Sequence, residues 1–292
     1  MAWLASPNAR NFWLKMKETY VDDLVHYEIT LALSEKVLLD QLEEWYVSLC
    51  CSIPLANKSK RCIPGYVTFL VKDKDTNNLN CNYRVRPLIG ASREGKCSPM
   101  KSALRVINKA IFFLMRVTNH KGMWLNSCLH LVPDLKRKTD RMKQAYGIFS
   151  RFDVFRYDIK EFLTSVNIES LYPAIKFFVT ENDLIKLGKL WVHKRSKSTV
   201  LLVPPDIESA FYCITIEQIV SIIMYEFNNG WFVLGESLIA RQKAGLSIGG
   251  HLSSAEAIML ANFAEHKALS SSLPTQILSQ RNRSHRLCKG NL

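Results

Sequence analysis

The sequence lacks any uninterrupted apolar run of about 18 residues, the length needed to cross a bilayer. Lys109 and Arg116 bracket the run 110–115, and Glu217 interrupts 210–225, so no membrane-spanning helix is expected. The opening residues, MAWLASPNARNFWLKMK, lack a charged stretch followed by a long apolar one, the mark of a secretory leader. The eight cysteines include no CxxC pair and no zinc spacing. Free thiols in a reducing, intracellular compartment, cytoplasmic or nuclear, are the plain reading. Two phosphate-binding signatures are also missing: no GK[ST] closes a glycine loop, and no GxGxxG occurs. Internal repeats and low-complexity tracts are absent.

Acidic residues are scarce relative to basic ones. Asp plus Glu number 26 against 39 Lys plus Arg, a net charge of +13. Such an excess points to a polyanionic partner, nucleic acid first and an anionic membrane surface second. At 292 residues, 48% of them hydrophobic and 22% charged, the chain is long enough for one large or two small folded domains.

Apolar residues recur at helical intervals over 20–51, as in Leu31, Val37, Leu38, Leu42, Trp45, Tyr46 and Leu49, with Ser34 and Glu35 as the helix start. The basic, proline-containing stretch 57–65 then breaks the pattern. We therefore expect a helical N-terminal segment over 1–56 and a main region over 57–292. In the latter, β-rich runs at 66–71 and 83–89 flank the turn-prone 73–80 and predict a hairpin. Lys72 and Lys74 sit where the outgoing strand ends; Arg84 and Arg86 share one face of the returning strand. Such short basic motifs are more often ordinary solvated charges on an exposed hairpin, and these cations also suit a triphosphate clamp.

Residues 100–117 place Leu104, Ile107, Ile111 and Met115 on one stripe, predicting an amphipathic helix whose apolar face is core. Lys136, Arg137, Lys138, Arg141 and Lys143 then crowd together, as a solvated face or a phosphate track. Phe155, Tyr157 and Ile159 alternate as in a strand, the pattern breaks over 161–165, and helical spacing resumes behind Asn167 as a cap. Asp158 thus stands near a strand end, where a carboxylate is costly to bury without a cation and where metal-binding carboxylates are displayed. In RQKAGLSIGGHLSSAEAIMLANFAEHKAL (241–269), Gly245, Gly249 and Gly250 permit close backbone approach. Ser253 can cap, and a helix follows over 257–269. A glycine-rich loop opening a helix suits a phosphate, or a base pair laid against the backbone.

In order along the chain, these segments resemble the fingers and palm of reverse transcriptases, RNA-directed DNA polymerases of the kind found in mobile elements. YDIKEFLTSV resembles that family's first catalytic motif, and GLSIGGHLSSAEAIMLANFAEHKAL, with its late Glu265, resembles the second. The hairpin with Lys72, Lys74 and RVRPLIG resembles the fingers strands, and NNGWFVLGESLIARQ resembles the lead-in to the second motif. The similarity spreads over roughly residues 60–270.

The resemblance implies an α+β fold, an incomplete right-hand polymerase, whose family activity is RNA-templated DNA synthesis by two-metal nucleotidyl transfer. In that chemistry two Mg2+ ions about 3.5 to 4 Å apart activate the primer hydroxyl and stabilise the leaving pyrophosphate. It further implies Asp158 as the catalytic metal ligand, joined by the backbone carbonyl of Ile159, with Lys72, Arg86, Leu163, Gln242, Gly245 and Gly249 around the nucleotide. The Lys136, Arg137, Lys138, Arg141 and Lys143 cluster falls to nucleic acid. The implied partners are an RNA or DNA primer-template and, in an active enzyme, deoxynucleoside triphosphates, with no membrane among them. Leu163 stands where the family usually has Phe or Tyr under the sugar, and Ser247 and Ile248 replace the usual Pro and Gln or Met.

The family's third motif, an aromatic residue followed by x-Asp-Asp, has no counterpart: beyond Glu265 there is no Asp or Glu. This chain by itself is therefore expected to be inactive, either as a fragment that ends early or as a relic. The alternative is a non-catalytic basic nucleic-acid-binding protein that keeps the fold. The resemblance also predicts that the strand bearing Asp158 packs against the helix over 255–269, within about 15 Å of Gly249, the span of one nucleotide cleft.

Overall fold

Residues 27–30, 34–55, 65–71, 85–90, 92–93, 96–117, 131–147, 162–180, 188–234, 238–247 and 249–272 are described by the structure, a computed structural model. The chain divides into two compact units, Met1–Thr118 with Glu161–Leu260, and Asn119–Lys160 with Ala261–Leu292.

The first strand, β1 (Tyr27–Thr30), lies where helical spacing predicts helix. Its alternation buries Tyr27 edge-on against Phe232, ring centroids 6.0 Å apart, and pairing with a distant strand overrides the local pattern. Helix α1 (Glu35–Ser48) starts as expected, the Ser34 hydroxyl accepting the amide of Val37.

The predicted hairpin is present as β2 (Tyr66–Val71) and β3 (Val85–Gly90), antiparallel with Leu70 opposite Arg86. Two short paired strands, β4 (Ser92–Arg93) and β5 (Lys96–Cys97), lead into α2 (Lys101–Val117). Next come α3 (Leu131–Tyr146), the single turn α4 (Phe162–Ser165) and α5 (Ile168–Thr180). Strands β6 (Lys189–His193), β7 (Val200–Leu201) and β8 (Phe211–Thr215) form a three-stranded antiparallel sheet in the order β7-β6-β8. Helix α6 (Ile216–Asn228), strands β9 (Gly230–Leu234) and β10 (Leu238–Gln242), and helix α7 (Ser253–Ser272) complete the series.

The larger sheet runs β1-β10-β9-β2-β3, antiparallel except where β2 meets β9 in parallel at Tyr66 and Val233. It is thus a mixed sheet in an α+β architecture. Helix α2 is the hub of the first unit. Leu104, Ile107, Ile111 and Met115, the predicted stripe, are all buried, and the helix packs on α5, α6, β6 and β7. Each large aliphatic side chain removed from water there contributes about 1.5 to 3 kcal/mol.

The end of α1 is fastened to the start of α6. Thr215 and Gln218 form a reciprocal capping box, and the Gln218 amide also donates to the Leu49 carbonyl at 2.8 Å. Trp45 stacks on Tyr225 at 3.6 Å, and the buried Tyr46 hydroxyl donates to the Ile53 carbonyl. Helix α3, in the second unit, is of another kind: all its described side chains are exposed. Among the described residues no helix is long and apolar enough to cross a membrane.

Candidate functional site

The loop between β10 and α7 is held from inside by Gln242, which is buried. Its side-chain amide donates to the Ala244 carbonyl at 2.9 Å, and its side-chain oxygen accepts the Ser247 hydroxyl at 2.9 Å. The Ser247 carbonyl in turn accepts the Gly250 amide and the Ser253 hydroxyl. Ser253 therefore ties the helix start to the loop instead of accepting from a helix amide as expected, and α7 begins there, four residues before the predicted 257.

Two backbone hydrogen bonds dock this loop on the turn α4. The Gly245 amide donates to the Val166 carbonyl at 2.9 Å, and the Leu246 amide to the Leu163 carbonyl at 2.6 Å. Gly245 has φ +83°, and a Cβ there would meet the Leu163 oxygen and the Thr164 Cα at 2.8 Å, so only glycine fits. On the hairpin side, Gly249 (φ +99°) approaches β3 so closely that a Cβ would lie 3.2 Å from the Ile89 carbonyl oxygen. Asn167 caps α5 as predicted, its side chain accepting the Ser170 amide.

Leu163, Gln242, Gly245 and Gly249 are thus gathered with the end of β3. Arg86 lies within β3, its side chain outside the described residues. Asp158, Ile159 and Lys72 also lie outside them, as does the expected approach of Asp158 to Gly249. Lys136, Arg137, Arg141 and Lys143 are exposed on α3, where Lys138 is described by its backbone alone. Among the described residues no three His, Cys, Asp or Glu come together as a metal cluster.

A cavity of about 80 Å³ opens beside the loop, with Gly90, Ser98, Asn229, Trp231, Ser247 and His251 on its wall. Burial, followed by the charges of Arg105 and Lys101, lowers the His251 pKa and favours the neutral ring. Sequence reasoning missed two acids. Burial raises Glu226 on α6 to about 8, and raises Glu256 on α7 well above the carboxylate range, with the charge of Glu226 adding to the effect. A signal for both was present: Glu226 continues the stripe Ile219, Ile222 and Ile223, and Glu256 falls between Leu252 and Met259, all five of these apolar residues being buried.

No protein-family model and no curated protein matches the sequence. Solved structures that resemble the fold include telomerase from Candida albicans in complex with a TWJ fragment of telomeric RNA, at 11% identity and TM-score 0.44, covering 85% of this chain and 43% of that one. Apo telomerase from Candida tropicalis truncated from its C-terminal domain is similar at 12% identity and TM-score 0.45, covering 81% and 45%. The chain spans less than half the length of either, and the likeness is distant.

Proposed function

We propose that this chain is a reverse-transcriptase-like fingers-and-palm unit that binds a primer-template duplex. The supporting observation is the backbone pairing of Leu163 and Val166 with Leu246 and Gly245, which joins the two segments that resemble successive catalytic motifs. In this reading the loop offers its glycine backbone to the templating base pair, Lys72 and Arg86 face the triphosphate, and Leu163 lies under the sugar. A leucine there is bulky but not aromatic.

Asp158 and the Ile159 carbonyl would hold Mg2+, which when bound activates the primer hydroxyl and stabilises the leaving group. The cations of α3 neutralise duplex phosphates. With no carboxylate beyond Glu265 to complete the set, these 292 residues alone bind without extending a primer, so the non-catalytic reading shares the same binding.

The test is a labelled RNA–DNA primer-template, followed by anisotropy and then by extension with Mg2+ or Mn2+ and deoxynucleotides. Binding that weakens steeply with salt, without extension, is the expected result. Failure to bind at low salt overturns the proposal, and extension that Asp158→Ala abolishes overturns the absence of activity.

A further inference from the structure

Glu226 and Glu256 line a second, smaller cavity of about 10 Å³, with Gln242, Ser247 and Ser253 also on its wall. That volume admits one water-sized occupant. Glu256 is only 3% exposed, and its Oε1 has no hydrogen-bond partner; Oε2 of Glu226 is likewise buried without one. No Lys, Arg or His lies among the residues lining this cavity. A chain of net charge +13 thus places two carboxylates on the wall of one small cavity whose lining residues carry no cation, an arrangement that is costly unless something positive enters or the acids take up protons.

The wall narrows the choice of occupant. Its polar side chains are carboxylates, hydroxyls and a carboxamide, with no thiol or imidazole, a donor set that suits hard oxygen-seeking cations over thiophilic metals. The cavity is too small for a guanidinium or an ammonium-bearing side chain. We propose that Glu226 and Glu256 form a binding site for a hard divalent cation that bridges α6 to the first turn of α7. The cation fastens the two helices that flank β9, β10 and the glycine loop, and Gln242, Ser247 and Ser253 supply neutral oxygens around it. Neither Glu226 nor Glu256 is a residue assigned above to the polymerase metal, and the proposal does not rest on the polymerase reading.

The test uses the full chain in an Asp158→Asn background, which removes any cation bound there and keeps the two readings distinguishable. After stripping with EDTA, excess Ca2+ or Mn2+ at millimolar concentration raises the thermal midpoint by about 3 °C or more, and electron paramagnetic resonance shows one Mn2+ taken up per chain. Glu226→Gln and Glu256→Gln each keep the side-chain shape and remove a charge, so both fold in EDTA at least as stably as the parent, and both lose the midpoint rise and the Mn2+ uptake. The two variants are independent, and either one suffices. A parent that shows neither a shift nor uptake overturns the site, leaving a pair of acids that holds protons. A shift or uptake that persists in the glutamine variants also overturns it.

Discussion

The amide of Leu246 donates to the carbonyl of Leu163 at 2.6 Å, and the neighbouring Gly245 makes that approach possible. Both sides of the contact are backbone, so neither can yield by changing rotamer.

Gly245→Ala places a methyl 2.8 Å from the Leu163 carbonyl oxygen at a φ of +83°, and we expect a loss of about 3 kcal/mol. Gly188→Ala is the control, with φ +63° and nothing within 4 Å of the added Cβ, at about 1 kcal/mol. Urea midpoints at constant slope make the comparison. Equal losses would show that the close approach does not hold the loop.

The raised pKa of Glu226, about 8 against 4.5 for the free side chain, fixes a pH dependence. The folded state binds the proton more tightly than the unfolded state, so stability is fully present below about 4.5 and is lost as pH rises through 8. Glu256, which faces it from α7, shifts the same way. His251, across the larger cavity, is lowered and weakens the fold only on the acid side. In EDTA, the thermal midpoint should fall between about pH 5 and 8.5, and Glu226→Gln should flatten that fall; an unchanged slope in the variant would contradict this assignment.

Tyr46 is 4% exposed and its hydroxyl donates to the carbonyl of Ile53, which is fully buried. Tyr46→Phe keeps the ring and strips the carbonyl of this donor, at a cost of about 1 to 2 kcal/mol. The loss should appear as a lower denaturation midpoint and earlier proteolytic release of α1. No change in either would place the α1 docking energy in the Trp45–Tyr225 stack instead.

Replacing Lys136, Arg137, Arg141 and Lys143 by Gln should reduce the steepness of log affinity against log salt by about one unit for each phosphate that is no longer neutralised. Because the described side chains of α3 are exposed, the circular dichroism spectrum should be preserved. An unchanged slope would assign duplex binding to other cations.

Local signals carried the parts of the fold that were readable. Helix α2 announces itself through Leu104, Ile107, Ile111 and Met115, α5 through the Asn167 cap, and the β2–β3 hairpin through two β-rich runs around a turn-prone stretch. Strand β1 was not readable, because four residues of alternation are outweighed by the helical spacing around them and its partner is the distant β10. The same limit applies to the site. Gly245 and Gly249 advertised a close backbone approach, but that Leu163 and Ile89 are what they approach is a tertiary fact. Glu226 and Glu256 each look like one acid on an apolar stripe, and only the fold, by placing both on the wall of one cavity, makes them a pair.

The most direct test of the proposed function asks where the primer end sits. A primer-template carrying 4-thiouridine at the terminal pair, irradiated on the protein and followed by trypsin digestion and mass spectrometry, marks the residues that touch it. The account predicts adducts in the peptide spanning 244–267, which holds the glycine loop, and their disappearance when excess unlabelled duplex competes. Adducts confined to 131–146, with the loop unmarked, would contradict it and leave a basic surface that binds nucleic acid without a polymerase-like site.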